Sequence, residues 1–433
     1  LSINADTPQD LPDDATATRS TLSLTVVVIY VLTNLACWTA ILTPAAITLA
    51  IRVQELDPEG ASGTLSLVAG VGAAFGIVAN PLFGRLSDRT RSRFGRRRPW
   101  MLGGIVGALC GLVVVSYAES IPMLVLGWLI TQAAMQAVLA PMTAILPDQI
   151  PVRYRGRIAG LLSVGQGLAT TVGTALLNIF PQSTQWGFLA PISVAVLAVV
   201  VLCAVLPDRV PQDADRPPFS LRGLLGSFWF DPRGNADFAW TLLSRLLAYM
   251  GITVLIVYQT YFLLTRMGVE PERVAAVMFL VLLVENTLAV LGNVVSGYLS
   301  DRWRRRKVFV AGSGAAGTLG FLTAALTTEF GVFLVGVALL GIAKGVYAAV
   351  DMAMATDLLP EGKGGAAKNM GLFIVASLFP NLLVPMTAPL FLAVGTAANA
   401  PGAPAGNYMA LFIAGGVFMF LAAVAVIPIR GVR

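Results

Sequence analysis

The apolar residues of this chain come in runs of helix length, and short polar or charged segments separate them. Crossing about 30 Å of hydrocarbon takes roughly 20 residues of helix, and only helices or closed barrels satisfy their backbone polar groups there. The runs fall near 22–50, 61–85, 99–118, 122–146, 157–180, 185–206, 238–264, 274–299, 308–327, 331–358, 367–396 and 407–428. They predict an all-α integral membrane protein with twelve transmembrane helices. Residues 1–21 hold Asp6, Asp10, Asp13 and Asp14 among prolines and read as a disordered tail. No basic segment precedes the first run and no small-residue cleavage site follows it, so it reads as a retained span rather than a signal peptide.

One connection is long. Residues 207–237 carry Pro207, Pro211, Pro217 and Pro218 among charges, and they divide the chain into a first six-helix bundle, 22–206, and a second, 238–428, with a short tail at 429–433. The two halves match. Residues 84–89 read GRLSDR and residues 297–302 read GYLSDR, an offset of 213 that also carries Leu146-Pro147 onto Leu359-Pro360. One register shared by two separate motifs is what duplication of a six-helix unit leaves behind. Two pseudo-symmetric bundles with a cavity between them are therefore expected.

Charge fixes the orientation. Lys and Arg number 29 against 23 Asp and Glu, and they cluster between the runs rather than over a surface, which argues against a nucleic-acid partner. Cytoplasmic loops retain Lys and Arg. With a cytoplasmic N-terminus, 24 of the 29 fall on the inner side, including seven Arg between 85 and 98 and the run Arg302, Arg304, Arg305, Arg306 and Lys307. Only Arg52, Arg266 and Arg273 fall outside, and Arg245 and Lys344 lie within spans. Both termini are expected in the cytoplasm, with the chain a multi-pass monomer of the plasma (inner) membrane. Charged residues make up only 12% of the chain and hydrophobic ones 56%, so lipid is its main partner. Cys37, Cys110 and Cys203 sit in apolar runs without the spacing of a disulfide framework or a metal site, and no cofactor is expected. No nucleophile–base constellation or nucleotide loop appears, which argues against an enzyme.

The segment between the second and third runs, GRLSDRTRSRFGRRRPW at 84–100, carries most of the remaining information. Gly84 would let two helices approach closely, Asp88 can accept from backbone amides or an arginine, and Arg89, Gly95, Arg96 and Arg97 would hold the loop at an anionic membrane face. The bland alternative is a basic loop that only sets topology. The segment resembles the loop signature of the major facilitator superfamily. Its extended form, with Thr90 to Gly95 between Asp88-Arg89 and Arg96, is similar to that of sucrose transporters and the glycoside-pentoside-hexuronide symporters. Residues 351–381 are similar to the tenth and eleventh helices of bacterial members of that group. The resemblance implies transport by alternating access, with Asp88 and its repeat partner Asp301, beside Gly297 and Arg302, locking the cytoplasmic side while the cavity faces outward. Melibiose-type members hold their cation on acidic residues in helices two and four. Residues 61–85 and 122–146 have none, which points away from sodium at that site. Drug–proton antiporters typically carry a Gly-Pro signature in helix five, whereas 156–175 is glycine-rich without proline.

A sugar site needs fixed donors and acceptors and an aromatic face. Asn34 and Trp38 share a face of the first helix, and Gln132 and Gln136 repeat that spacing in the fourth. Ser163, Gln166 and Thr170 line the fifth, Tyr249, Tyr258 and Gln259 mark the seventh, and Tyr347 lies in the tenth. Each can instead be an interhelical hydrogen bond. Four buried charges stand out, because an ionised group at mid-membrane costs roughly 2.5–3.5 kcal/mol even on the lenient insertion scale. They are Arg245, Glu285, Lys344 and Asp351. Arg245 and Asp351 share one depth, Glu285 and Lys344 another about two turns deeper, and Lys344, Tyr347 and Asp351 share a face. The bland reading is two structural ion pairs. Under the functional reading a carboxylate, Asp351 ahead of Glu285, carries a coupled proton that Lys344 and Arg245 tune, since the chain has no histidine. The expectation is proton-coupled symport of a sugar or glycoside. The alternative is an exporter of amphipathic small molecules, which would show an apolar cavity.

Overall fold

A computed structural model describes residues 23–90, 92–150, 152–179, 183–207, 235–303, 305–357, 372–373, 376–395 and 406–430. The N-terminal tail, most of the expected linker and much of 351–381 lie outside the described residues. Those described form helices and no strands. Eleven helices are long and apolar enough to cross a membrane: α1 Leu24–Leu56, α2 Ala61–Arg89, α3 Arg98–Ser116, α4 Ile121–Thr143, α5 Ile158–Ile179, α6 Thr184–Val205, α7 Ala236–Arg266, α8 Pro271–Ser300, α9 Arg306–Leu326, α10 Phe330–Ala355 and, last, α12 Tyr408–Ala425. The shorter apolar helix Ala376–Leu392, here α11, takes the eleventh place, and residues 374–375 just before it are not described.

Contacts repeat under a shift of six. In the first half α3 packs on α4 and α6, α2 on α4, and α1 on α5 and α6; in the second α9 packs on α10 and α12, α8 on α10, and α7 on α11 and α12. The duplication also shows in individual glycines. A Cβ on Gly111 would lie 2.9 Å from the carbonyl oxygen of Gly127, and one on Gly320 would lie 2.8 Å from that of Gly336. Both pairs have the same spacing, and both bring a third and fourth helix, counted within the half, to backbone contact.

The halves meet along α2–α11, α5–α8 and α1–α7, which is again symmetric. Hydrogen bonds cross this seam between Ser66 and Tyr258 (2.6 Å), from Tyr261 to the Ala50 carbonyl (2.8 Å), from Asn286 to Thr171 (2.9 Å) and from Thr171 to the Leu282 carbonyl (3.3 Å), and Thr260 bonds the Ala46 carbonyl. All lie toward the end of the molecule opposite the 84–100 loop. Both α1 and α7 change to a π turn at this end, over Pro44–Thr48 and Phe262–Arg266. Pro44 has no N–H to continue the α-ladder, and the wider turn it starts contains Ala46, whose carbonyl takes the bond from Thr260. The sequence thus builds the acceptor of a contact between halves.

Candidate functional site

The Lys344 site begins with two glycines. A Cβ on Gly341 would lie 2.3 Å from the Glu285 carbonyl oxygen, and one on Gly345 would lie 1.9 Å from that of Ala289. Only glycine allows α10 to lie this close on α8, and Lys344 sits between the two contacts. Its Nζ donates to Glu285 Oε1 at 2.9 Å and to Asn286 Oδ1 at 3.4 Å. The Glu285 side chain is 2% exposed and that of Lys344 28%, so the cation is the more accessible member. Asn286 in turn donates from Nδ2 to Thr171 Oγ1, which carries this polar chain across the seam into α5.

Nearer the basic end of α10, Asp351 is fully buried and accepts from Arg245 Nη1. The Arg245 guanidinium lies 3.7 Å from the centroid of the Phe373 ring and 4.9 Å from that of Tyr249. Tyr249 stands edge-on to Tyr347, 6.4 Å between centroids. Tyr347 approaches Ser244 at 3.4 Å, and Ser244 donates to the Ala422 carbonyl at 3.0 Å. The four buried charges therefore form two ion pairs, matched as their depths along the helices suggest.

The polar residues expected to touch substrate separate into groups. Tyr258 is buried in its bond to Ser66 at the seam, an interhelical role. Gln132 lies against α2, its Cγ 3.3 Å from where a Cβ on Gly72 would stand. Gln136, half-buried, accepts from the exposed Asn80 at 2.7 Å, and Gln166 is exposed. Polar side chains within spans characteristically face the bundle interior or water rather than lipid. Asn34 is buried with its Oδ1 unpartnered, and Trp38 is half-buried one turn on.

In the basic loop, Gly95 has φ 101°, a conformation that glycine adopts freely. Arg96 and Arg97 both bond Asp148, and Asp88 stands 4.0 Å from each. Arg97 is 2% exposed and also donates to the Pro141 carbonyl at 2.8 Å. Asp148 was missed in the sequence, although an acid follows Leu-Pro in both halves, at Asp148 and Glu361. Gly84 corrects an expectation. A Cβ there would lie 3.8 Å from Ala140 Cβ, and one on Gly297 4.0 Å from Ala349 Cβ, both ordinary contacts, so neither glycine is needed for close approach. Arg302 donates to Tyr298 at 3.2 Å, the side chain of Asp301 lies outside the described residues, and Arg89 belongs to the end of α2.

The Major Facilitator Superfamily profile matches residues 22–285 and 241–432. A 3-(3-hydroxy-phenyl)propionate transporter of Escherichia coli is 28% identical over 342 residues, 74% of this chain and 77% of that one. Two further matches are local. A triacylglyceride transporter of Mycolicibacterium smegmatis is 33% identical over 33% of this chain, which spans 24% of its length, and the E. coli inner membrane symporter YicJ is 46% identical over 13%, spanning 12%. A crystal structure of a bacterial homolog of the human lysosomal transporter Spinster, inward-facing and unoccupied, superposes with a TM-score of 0.65 at 18% identity, covering 93% of this chain and 94% of that one.

Proposed function

The chain belongs to the major facilitator superfamily, and from that premise we propose that it is a secondary active transporter coupling a sugar or glycoside to protons by alternating access. The observation that carries coupling is the Lys344–Glu285 pair, a buried carboxylate whose counter-charge is partly open to the cavity. Arg245 keeps its charge at any accessible pH, so a proton on Asp351 would strand a buried guanidinium. Lys344 can turn toward water or Asn286 when Glu285 takes a proton. Glu285 is therefore the proton carrier in this reading, and the Arg245–Asp351 pair is its structural neighbour. The sugar rests on the extended 84–100 loop and on the polar set Asn80, Gln136 and Gln166, and symport on the local likeness to a protein named a symporter. With the basic end cytoplasmic, the hydrogen-bonded seam closes the outer side, and the cavity faces inward. Both termini are then cytoplasmic, in a monomer of the plasma (inner) membrane.

A second reading has one observation behind it. One relative that matches most of the chain is named for an aromatic acid, and a carboxylate of that kind would meet Lys344. Uptake into proteoliposomes of labelled sugars and aromatic acids, with and without an inward proton gradient, decides between them. The expected result is gradient-driven accumulation of a sugar that Glu285→Gln abolishes while exchange persists. Accumulation of the acid alone would replace the sugar, and accumulation by Glu285→Gln would end the coupling scheme.

A further inference from the structure

The chain Glu285, Lys344, Asn286, Thr171 runs from a buried charge to the seam between halves, and Asn286 enters the coupling just described only as an alternative acceptor for Lys344. Asn286 is 3% exposed, with one amide group on each neighbour: Oδ1 accepts from Lys344 at 3.4 Å and Nδ2 donates to Thr171 at 2.9 Å. Thr171 belongs to α5 in the first half and the other three to the second, so the last bond holds the halves together. We propose that Asn286 is a positioning residue that reports the charge of Glu285 to the seam, releasing Thr171 when Lys344 loses its carboxylate. The inference rests on Glu285 as proton carrier.

The reason lies in competing demands. A half-buried ammonium that loses its counter-charge turns to the nearest acceptor, and a hydrogen bond from a charged donor outweighs one between neutral groups. Once Glu285 is neutral, the next acceptor in reach of Lys344 is Asn286 Oδ1. Drawing that oxygen in pulls the amide away from Thr171, and the seam loses a bond at its α5–α8 contact. The charged groups facing Asn286 are Glu285 on its own helix and Lys344 on α10, while α5 presents Thr171, which does not titrate. Arg245 on α7 and Asp351 on α10 are paired with each other.

The test reads conformation and needs no substrate. Spin labels on Glu59→Cys and Glu272→Cys, exposed residues at the seam end of each half, report its opening once the exposed thiol of Cys110 is removed by Cys110→Ser. Glu285→Gln should raise the long-distance, open fraction about fivefold, the worth of roughly one hydrogen bond. Thr171→Val, which also loses the bond to the Leu282 carbonyl, should raise it at least as far, Thr171→Ser should leave it as in the parent, and Glu285→Gln added to Thr171→Val should raise it no further. The relay is wrong if the two effects multiply, if Glu285→Gln moves nothing, or if Thr171→Ser behaves like Thr171→Val. Failed proton-driven uptake would count against the transport reading alone, because the label distances are measured without it.

Discussion

Arg245 and Asp351 illustrate how a buried pair constrains its members. Asp351 Oδ1 is buried without a hydrogen-bond partner, and among the described residues the one charge opposite this carboxylate is the guanidinium at Oδ2. Removing one member of such a pair costs about 3–5 kcal/mol, whereas replacing both with apolar residues of similar volume is often neutral. We expect Asp351→Asn to lower the thermal unfolding midpoint in detergent markedly, and Arg245→Met combined with Asp351→Leu to restore most of it. A single variant as stable as the parent would remove the structural role. The pairing was legible in the sequence, because depth along a helix follows from counting and the cost of a lone charge demands a partner. Tyr258 was not legible as a seam residue, since its partner Ser66 lies 192 positions away in the other half. Asn286 escaped notice for a related reason: beside Glu285 it reads as one more polar side chain until the α5 helix is placed against it.

At the scale of elements, close packing sits where backbones meet and not where the best-known motif lies. The GIAKG stretch at 341–345 brings α10 onto α8, and its small-xxx-small spacing was the available signal. A methyl at Gly345 would stand 1.9 Å from a backbone oxygen, which no side-chain adjustment relieves, whereas one at Gly84 would make ordinary contact. Gly345→Ala should therefore collapse the monodisperse yield in size-exclusion chromatography, and Gly84→Ala should elute as the parent does. A well-behaved Gly345→Ala would mean that α8 and α10 part at little cost. Helix positions were readable from hydropathy to within a few residues. The π turns were not, because they depend on where the ladder slips after Pro44 and before Met267 rather than on apolar period.

For the whole molecule, the distribution of Lys and Arg predicts which end faces the cytoplasm. A cysteine at Glu329, in the exposed connection between α9 and α10, should react with an impermeant thiol reagent from outside intact cells. One at the exposed Phe94 should react only after permeabilisation. The opposite pattern would invert the molecule and turn the closed seam toward the cytoplasm. The repeat itself was legible from two short motifs, and the contact map extends it to every helix pair named above. The seam that joins the halves has a further consequence. It is made of hydroxyls, amides and backbone carbonyls, whereas the opposite end gathers Arg96 and Arg97 on Asp148. Dissolved ions weaken exposed charge pairs and hardly touch neutral hydrogen bonds. Raising the ionic strength should therefore loosen the arginine–aspartate end of this protein before it loosens the bonds that join the halves.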